Sequence, residues 1–96
     1  MTAYVIFIQE QTTNLEELET YSQAAPATME GHAGTMLALD GRQEVLEGPE
    51  VEGAVIIAFP SLDEAKAWYD SPAYRAAREH RFKGAKYRVM IVEGLS

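Results

Sequence analysis

Four short runs of apolar residues, rich in β-branched and aromatic side chains, are spaced along the chain. Each run is too short for a buried helix, and such composition is typical of strands. The pattern predicts strands at residues 3–8, 35–39, 51–59 and 86–93. We expect the first strand to end at the polar segment 9–13.

Between the first two strands, apolar residues recur at helical spacing and predict a helix from about Leu15 to Met29. Asn14, with Glu17 three residues later, is a variant of the capping box that starts helices. Pro26 removes one intrahelical hydrogen bond, so we expect it to kink or shorten the last turn. We expect the Gly-His-Ala-Gly segment that follows to end the helix.

A second helical region lies between the third and fourth strands. Ser61 is placed to cap the amide of Glu64, whose side chain reaches back to complete a capping box. Ser71 followed by Pro72 predicts another helix start, because proline fits the first helical position. We therefore expect the helical region to break near Asp70.

These elements follow one another as β-α-β-β-α-β within residues 1–96, the order of ferredoxin-like, split βαβ domains. We predict one α+β domain with a four-stranded antiparallel sheet. The first and third strands are apolar on both faces, as central strands are, while the second and fourth carry polar positions, as edge strands do. The Gly- and Glu-rich segment from Asp40 to Glu50 predicts a mobile hairpin loop.

Two helices cover only one face of such a sheet, so the other face meets water or another chain. In the first strand Tyr4, Ile6 and Ile8 point one way, and Ala3, Val5 and Phe7 the other. In the third strand Val55, Ile57 and Phe59 are opposed to Ala54, Ile56 and Ala58. Leaving about five large side chains exposed would forgo roughly 1.5–3 kcal/mol each. We expect a homodimer formed sheet face against sheet face; the alternative is that the long acidic loop shields this face.

Composition places the chain among globular proteins, since 47% of its 96 residues are hydrophobic and 24% are charged. No apolar stretch approaches the ~18 residues of a transmembrane helix, and no basic segment precedes the N-terminal apolar run, as a signal peptide would require. The absence of cysteine excludes disulfides, thiolate nucleophiles and thiolate metal sites. We expect a cytoplasmic protein without membrane contact.

The net charge of −7 is distributed unevenly along the chain. Residues 1–65 carry twelve acids against one base, whereas residues 66–96 carry seven bases against three acids. Nucleic-acid binding rests on basic contacts to phosphates, and an acidic field of this size repels a polyanion. We expect no nucleic-acid partner. The basic third either binds a small anion or pairs with acidic residues of the same or a partner chain.

Several motifs together carry a resemblance. They are Phe59-Pro60-Ser61, the run Ala65–Tyr74 with its Trp-Tyr-x-Ser-x-x-Tyr pattern, Arg78, Arg81, Val92-Glu93-Gly94, Gly31–Gly34 and Leu46-Glu47-Gly48. Over essentially its whole length, the chain resembles the domain-of-unknown-function family numbered thirteen-thirty, within the dimeric α/β-barrel superfamily. The resemblance implies a ferredoxin-like fold and homodimerisation, and it brings no established activity. Ala33, where the family has a glycine, and the lack of an arginine near Glu52 depart from the pattern.

His32 lies where the first helix gives way to the second strand, a position that can face a cavity between sheet and helices. Histidine titrates near neutrality, so one interpretation is a general acid/base or a ligand contact. The other is a cap bonded to the last helix carbonyls. Glu30 is near in sequence, but one His and one Glu are too few for a metal site, so we expect none.

Aromatic residues of the second helical region are candidates for a binding pocket, because ligand sites are mostly apolar with a few placed polar groups. Trp68, Tyr69 and Tyr74 are the candidates, sharing a pocket with Tyr4, Phe7 and Tyr87; core and interface packing is the alternative. Arg75, Arg78 and Arg81 recur at intervals of three and share a stripe of helix surface. They either hold a carboxylate or phosphate or pair with acids of the dimer.

Two functions follow from these observations and stay open. The first is a homodimer that binds an apolar or aromatic metabolite, in one form a cofactor-independent enzyme of the monooxygenase or isomerase kind, by analogy within the superfamily. There His32 would carry the proton, with Tyr74 and Arg78 orienting the substrate, and no cofactor is expected. The second is a non-catalytic binding or structural module, which predicts a filled interior and a His32 ring engaged as a cap.

Overall fold

Eight segments of regular structure account for most of the chain in the computed structural model, which describes all 96 residues. In chain order they are β1 (Ala3–Thr12), α1 (Leu15–Ala24), a 3-10 helix (Pro26–Met29), β2 (Thr35–Leu39), β3 (Gly53–Phe59), α2 (Leu62–Tyr69), α3 (Pro72–Gly84) and β4 (Ala85–Glu93). The strands form one antiparallel sheet in the order β2-β3-β1-β4. The predicted α+β, ferredoxin-like fold is confirmed, with β1 and β3 central.

The alternation of β1 decides which side chains enter the core. Val5 pairs with Ile57 of β3 and Ile91 of β4, so these three residues point to the same face of the sheet. That face lies under the helices, where Val5 and Phe7 are buried. The core is completed by residues of α2 and α3, namely Ala65, Trp68, Tyr74 and Ala77. One face of the sheet therefore holds the whole buried core.

The first helical segment is shorter than the periodicity predicts. Asn14 caps it as expected, its Oδ1 accepting from the amide of Glu17 at 3.3 Å. The α-helix ends at Ala24, and Pro26–Met29 continues as a 3-10 helix. The shortening predicted from the proline is confirmed, because its ring nitrogen has no hydrogen to donate to the preceding turn.

The boundary between β1 and its polar extension differs from the sequence prediction. The strand continues to Thr12 through an irregularity between Gln9 and Gln11. The Glu52 carboxylate supports this extension, accepting from the backbone amide of Thr12 at 3.0 Å. Hydrogen bonds from Thr12 lower the pKa of Glu52. Residues 51–52 therefore precede β3 instead of belonging to it.

The break in the second helical region lies where the sequence places it. Ser61 Oγ accepts from the amide of Glu64, and Ser71 Oγ accepts from the amide of Tyr74. Between the two caps, α2 ends at Tyr69 and α3 begins at Pro72. None of the helices has the length and hydropathy needed to cross a membrane.

The second face of the sheet carries no helix. Ile6 pairs with Ile56 and Met90 across this open face, and Met90 is 59% exposed. The acidic loop borders the face: Val45 and Val51 line a shallow hollow there together with Ile6 and Met90. The loop covers part of the open face and leaves the rest of it without a covering element.

Candidate functional site

A cavity of about 640 Å³ lies between the sheet and the segment formed by α1 and the 3-10 helix. Eleven of its fifteen lining residues are hydrophobic. The sheet contributes Phe7, Val55 and Ile57, and the helical side contributes Leu18 and Met29. The wall is therefore apolar over most of its extent, as ligand sites generally are.

The cavity exists because α1 packs mainly against α3 and buries none of its own residues. Gly84 makes this close approach feasible, since a Cβ there would lie 2.7 Å from the backbone nitrogen of Leu18. The Gly84 carbonyl also accepts from the amides of Thr13 and Asn14, which fixes the start of α1. The helix is held at the side of α3, and the apolar sheet surface beside it is left partly uncovered.

Trp68 forms the fixed part of the wall. Its ring stacks on Phe59, with the centroids 5.5 Å apart, and meets the Tyr74 ring at 4.2 Å. Its Nε1 donates to the buried Thr28 Oγ1 at 3.1 Å, and that hydroxyl donates to the Ala25 carbonyl. Because both the ring faces and the indole N–H are engaged, Trp68 presents a rigid edge to the cavity.

Two tyrosines connect the cavity to the interior of the protein. Tyr21 lines the cavity, and its hydroxyl lies 2.7 Å from that of Tyr74, which is completely buried. Burial is the main cause that raises the pKa of both hydroxyls above the ordinary tyrosine value. Both groups are therefore neutral and protonated at physiological pH.

Arg81 lies behind the aromatic wall and is only 3% exposed. One of its terminal nitrogens donates to the Tyr69 hydroxyl at 3.0 Å, and its buried Nε has no hydrogen-bond partner. The guanidinium carbon lies 5.0 Å from the Tyr87 ring centroid and 5.6 Å from that of Phe7, both of them wall residues. No carboxylate forms a salt bridge with this cation.

A polar corner of the cavity is formed by Gln9, Asp40 and Tyr87. The Tyr87 hydroxyl donates to Gln9 Oε1 at 3.2 Å, while Gln9 Nε2 donates to Glu52 at 3.1 Å. Burial, followed by the nearby carboxylate of Asp40, raises the pKa of Tyr87 to about 12. Asp40 is the single acidic residue of the wall, and it is exposed to solvent.

The residues expected to bind a ligand take up different positions around this cavity. Trp68 is in the wall, Tyr74 stands one hydrogen bond behind it, and Tyr69 lies further back against Arg81. Arg78 lies outside the cavity wall, where it donates to the Tyr69 carbonyl at 2.9 Å and pairs with Asp70 at 3.4 Å. The structure brings the three aromatic residues together and places Arg78 over the Tyr69 ring, 4.6 Å from its centroid, outside the cavity wall.

His32 follows the 3-10 helix and is not among the residues that line the cavity. Its backbone amide donates to the Met29 carbonyl at 3.0 Å, and its ring makes no hydrogen bond within the chain. The other histidine, His80, lies 2.7 Å from a carboxylate oxygen of Glu17 and links α3 to α1. No group of three or more potential metal ligands occurs in the structure.

Sequence reasoning left out Tyr21, which the structure places in the wall, and named Arg81 only as part of a surface stripe of arginines. Of the aromatic residues grouped with Trp68, Phe7 and Tyr87 line the cavity, whereas Tyr4 lies on the open face. Arginines three residues apart do not keep one orientation, because each step falls about 60° short of a full helical turn. Arg75 is therefore exposed while Arg81 is buried. The signal available for Tyr21 was its position on the apolar stripe of α1.

Comparison with solved structures shows the same architecture in proteins of low sequence identity. RPA0582 from Rhodopseudomonas palustris, a protein of unknown function, superposes with a TM-score of 0.78 at 18% identity, covering 99% of this chain and 83% of that one. A dimeric ferredoxin-like protein of unknown function from Thermobifida fusca gives 0.67 at 16% identity, covering 98% and 92%. SnoaB, a cofactor-independent oxygenase from Streptomyces nogalater, gives 0.61 at 9% identity, covering 99% and 93%.

Identities this low show a shared fold and nothing further about chemistry. Among curated proteins, no match to the chain was found. A family model does match, and it spans residues 2–95. Since that match runs over nearly the whole chain, the protein belongs to the family described as Domain of unknown function (DUF1330).

Proposed function

We propose that the protein is a homodimer that binds an apolar or aromatic small molecule in the cavity between α1 and the sheet. The observation that carries this proposal is the cavity itself, about 640 Å³ with a mainly hydrophobic wall. Ligand pockets typically enclose ~300–1,000 Å³ and combine apolar walls with a few polar groups. A purely structural module would have filled this space.

The polar groups of the cavity are few and are held in fixed positions. Tyr21 is restrained by Tyr74, and Tyr87 is restrained by Gln9. The edge of Trp68 supplies an immobile aromatic contact for a flat ligand. An apolar body with one or two hydrogen-bonding groups is the ligand shape that matches this arrangement.

Dimerisation through the open sheet face is the second part of the proposal. Met90 and Val92 are 59% and 47% exposed on this face, where they flank Ile6 and Tyr4 of the neighbouring strand. Contiguous apolar surface of this kind marks protein interaction sites. The Thermobifida fusca protein of the same fold is dimeric, which supports a second copy as the occupant.

Ligand binding is tested with N-phenyl-1-naphthylamine, a neutral aromatic probe whose fluorescence rises in apolar surroundings. We expect saturable binding with one probe per chain and energy transfer from Trp68, the chain's one tryptophan. The variant Ala25→Phe fills the cavity, since Ala25 lines it. Ala24→Phe is the matched control on the exposed side of α1. Binding that is absent, or that survives Ala25→Phe, contradicts the proposal.

The dimer is tested by light scattering at micromolar concentration. We expect a dimer for the unaltered protein and a monomer for Met90→Glu, because a charge on the open face repels its copy in a two-fold interface. Leu95→Glu is the matched control, since Leu95 is fully exposed beyond β4. A monomeric unaltered protein would refute this part of the proposal.

The catalytic form of the proposal assigns proton transfer to His32. A proton carrier has to come within hydrogen-bond reach of the substrate, and His32 stands outside the cavity wall. Asp40 is the wall residue that offers a carboxylate for the same task. Once a substrate is identified, His32→Ala and Asp40→Asn separate the two assignments: unchanged turnover in either variant eliminates that residue.

A further inference from the structure

Arg81 is a buried cation without a counter-ion, although carboxylates are abundant in this chain. Two acids near its helix are engaged elsewhere, since Glu17 pairs with His80 and Asp70 pairs with Arg78, and Glu79 on the helix itself is exposed to solvent. The four aromatic side chains around the guanidinium supply ring faces and one hydroxyl. Ring faces attract a cation, but the Nε hydrogen remains unpaired in the interior. Groups of this kind are rare in folded proteins and call for an explanation.

The electrostatic influence of Arg81 extends to the cavity through the tyrosines. The pKa of Tyr74 is raised by burial and lowered in part by its hydrogen bond to Tyr21 and by the positive charge of Arg81. A nearby cation makes a hydroxyl the better hydrogen-bond donor, and arginine itself can only donate. Either hydroxyl can be the donor in the Tyr21–Tyr74 pair, and an anion in the cavity selects the direction in which Tyr74 donates to Tyr21.

A hydroxyl carries one hydrogen, so accepting from Tyr74 leaves the hydrogen of Tyr21 free. Tyr21 lines the cavity, and its hydroxyl is bonded to that of Tyr74, whose pKa the positive charge of Arg81 lowers. With the bond in that direction, Tyr21 is a hydrogen-bond donor in the cavity wall, and the guanidinium carbon of Arg81 lies 5.0 Å from the ring centroid of the wall residue Tyr87. The one opposing charge in the wall, Asp40, is exposed and screened by solvent.

We propose that the ligand of this cavity is an apolar or aromatic anion whose charged oxygen accepts a hydrogen bond from the Tyr21 hydroxyl, with Arg81 as its buried compensating charge. This inference rests on the proposed function, because it requires that the cavity bind small molecules. It adds the charge class of the ligand and assigns two residues to its recognition. Arg81 is a positioning and charge-compensating residue, and Tyr21 makes the direct contact.

The test compares two probes that share a skeleton and differ in charge. They are 1-anilinonaphthalene-8-sulfonate, an anion, and neutral N-phenyl-1-naphthylamine, both titrated into the full-length protein at the same ionic strength. We expect the anion to bind about tenfold more tightly or better, the fold-change typical of a hydrogen bond to a charged group. Equal affinity, or tighter binding of the neutral probe, overturns the inference and leaves the proposed function standing. Failure of both probes to bind overturns both.

Variants identify the residues responsible for the preference. Arg81→Gln is expected to reduce affinity for the anion about tenfold and to leave the neutral probe within twofold, while exposed Arg75→Gln on the same helix changes neither. Tyr21→Phe is expected to give the same selective loss, and it keeps the test decisive should Arg81→Gln not fold. An anion preference that persists in Tyr21→Phe, or that falls equally in Arg75→Gln, contradicts the assignment.

Discussion

The hydrogen-bonded hydroxyls of Tyr21 and Tyr74 predict how much the free energy of unfolding changes when either one is removed. Replacing either residue by phenylalanine removes one hydroxyl and keeps the edge-to-face ring contact, whose centroids are 6.1 Å apart. Tyr21→Phe leaves the Tyr74 hydroxyl buried without its 2.7 Å partner, which costs about 1–3 kcal/mol. Tyr74→Phe leaves the Tyr21 hydroxyl beside the cavity, where water can replace the partner, so we expect about 1 kcal/mol.

The double variant removes both hydroxyls, and no polar group of the pair is then left unpaired. We therefore expect it to be more stable than the sum of the single variants predicts, with a coupling free energy of roughly 1 kcal/mol. Urea unfolding followed by Trp68 fluorescence at one fixed protein concentration measures all four proteins, because dimerisation makes stability depend on concentration. Strictly additive losses would refute the hydrogen bond as a contributor to stability.

Three further predictions concern residues in or next to the cavity wall. Gly84→Ala is expected to lower the melting temperature by several degrees, because its Cβ would meet the backbone of Leu18, whereas Gly41→Ala, with nothing within 4 Å, changes it little. Thr28→Val is expected to cost about 1–3 kcal/mol in urea unfolding, because it leaves the indole N–H of Trp68 unpaired; no measurable loss would show that water replaces the hydroxyl. Raised tyrosine pKa values mean that the unfolded state loses protons first as the pH rises. The free energy of unfolding should therefore fall above about pH 10, by up to ~1.4 kcal/mol per pH unit for each of these tyrosines. Urea midpoints that stay constant from about pH 9 to 11 would contradict the raised pKa values.

Patterns among residues close together in sequence were sufficient to predict the order of the helices and strands. Alternation along β1 separated its two faces, although both are apolar and the pattern did not show which one enters the core. The caps at Asn14, Ser61 and Ser71 located three helix starts. These features depend on residues close together in sequence, where physical rules are strong. The extension of β1 to Thr12 was missed because it depends on Glu52, forty residues away.

The candidate site was less accessible to sequence reasoning. One of the two functional hypotheses included a cavity between the sheet and the helices. Its extent depends on how closely α1 packs against α3, and this packing depends on the contact between Gly84 and Leu18. The burial of Arg81 likewise follows from the orientation of α3 and not from the spacing of its arginines. Trp68 and Tyr74 were identified as candidates because aromatic side chains serve both packing and binding, and here Trp68 lines the cavity while Tyr74 is packed behind it.

A crystal structure of the protein with N-phenyl-1-naphthylamine shows directly whether the cavity between α1 and the sheet binds small molecules. We expect one probe per chain between α1 and the sheet, in contact with Trp68 and Tyr21, in each protomer of a dimer joined through the open face. A probe found only on the open face, or in the hollow beside Val45, would contradict the claim that this cavity is the binding site.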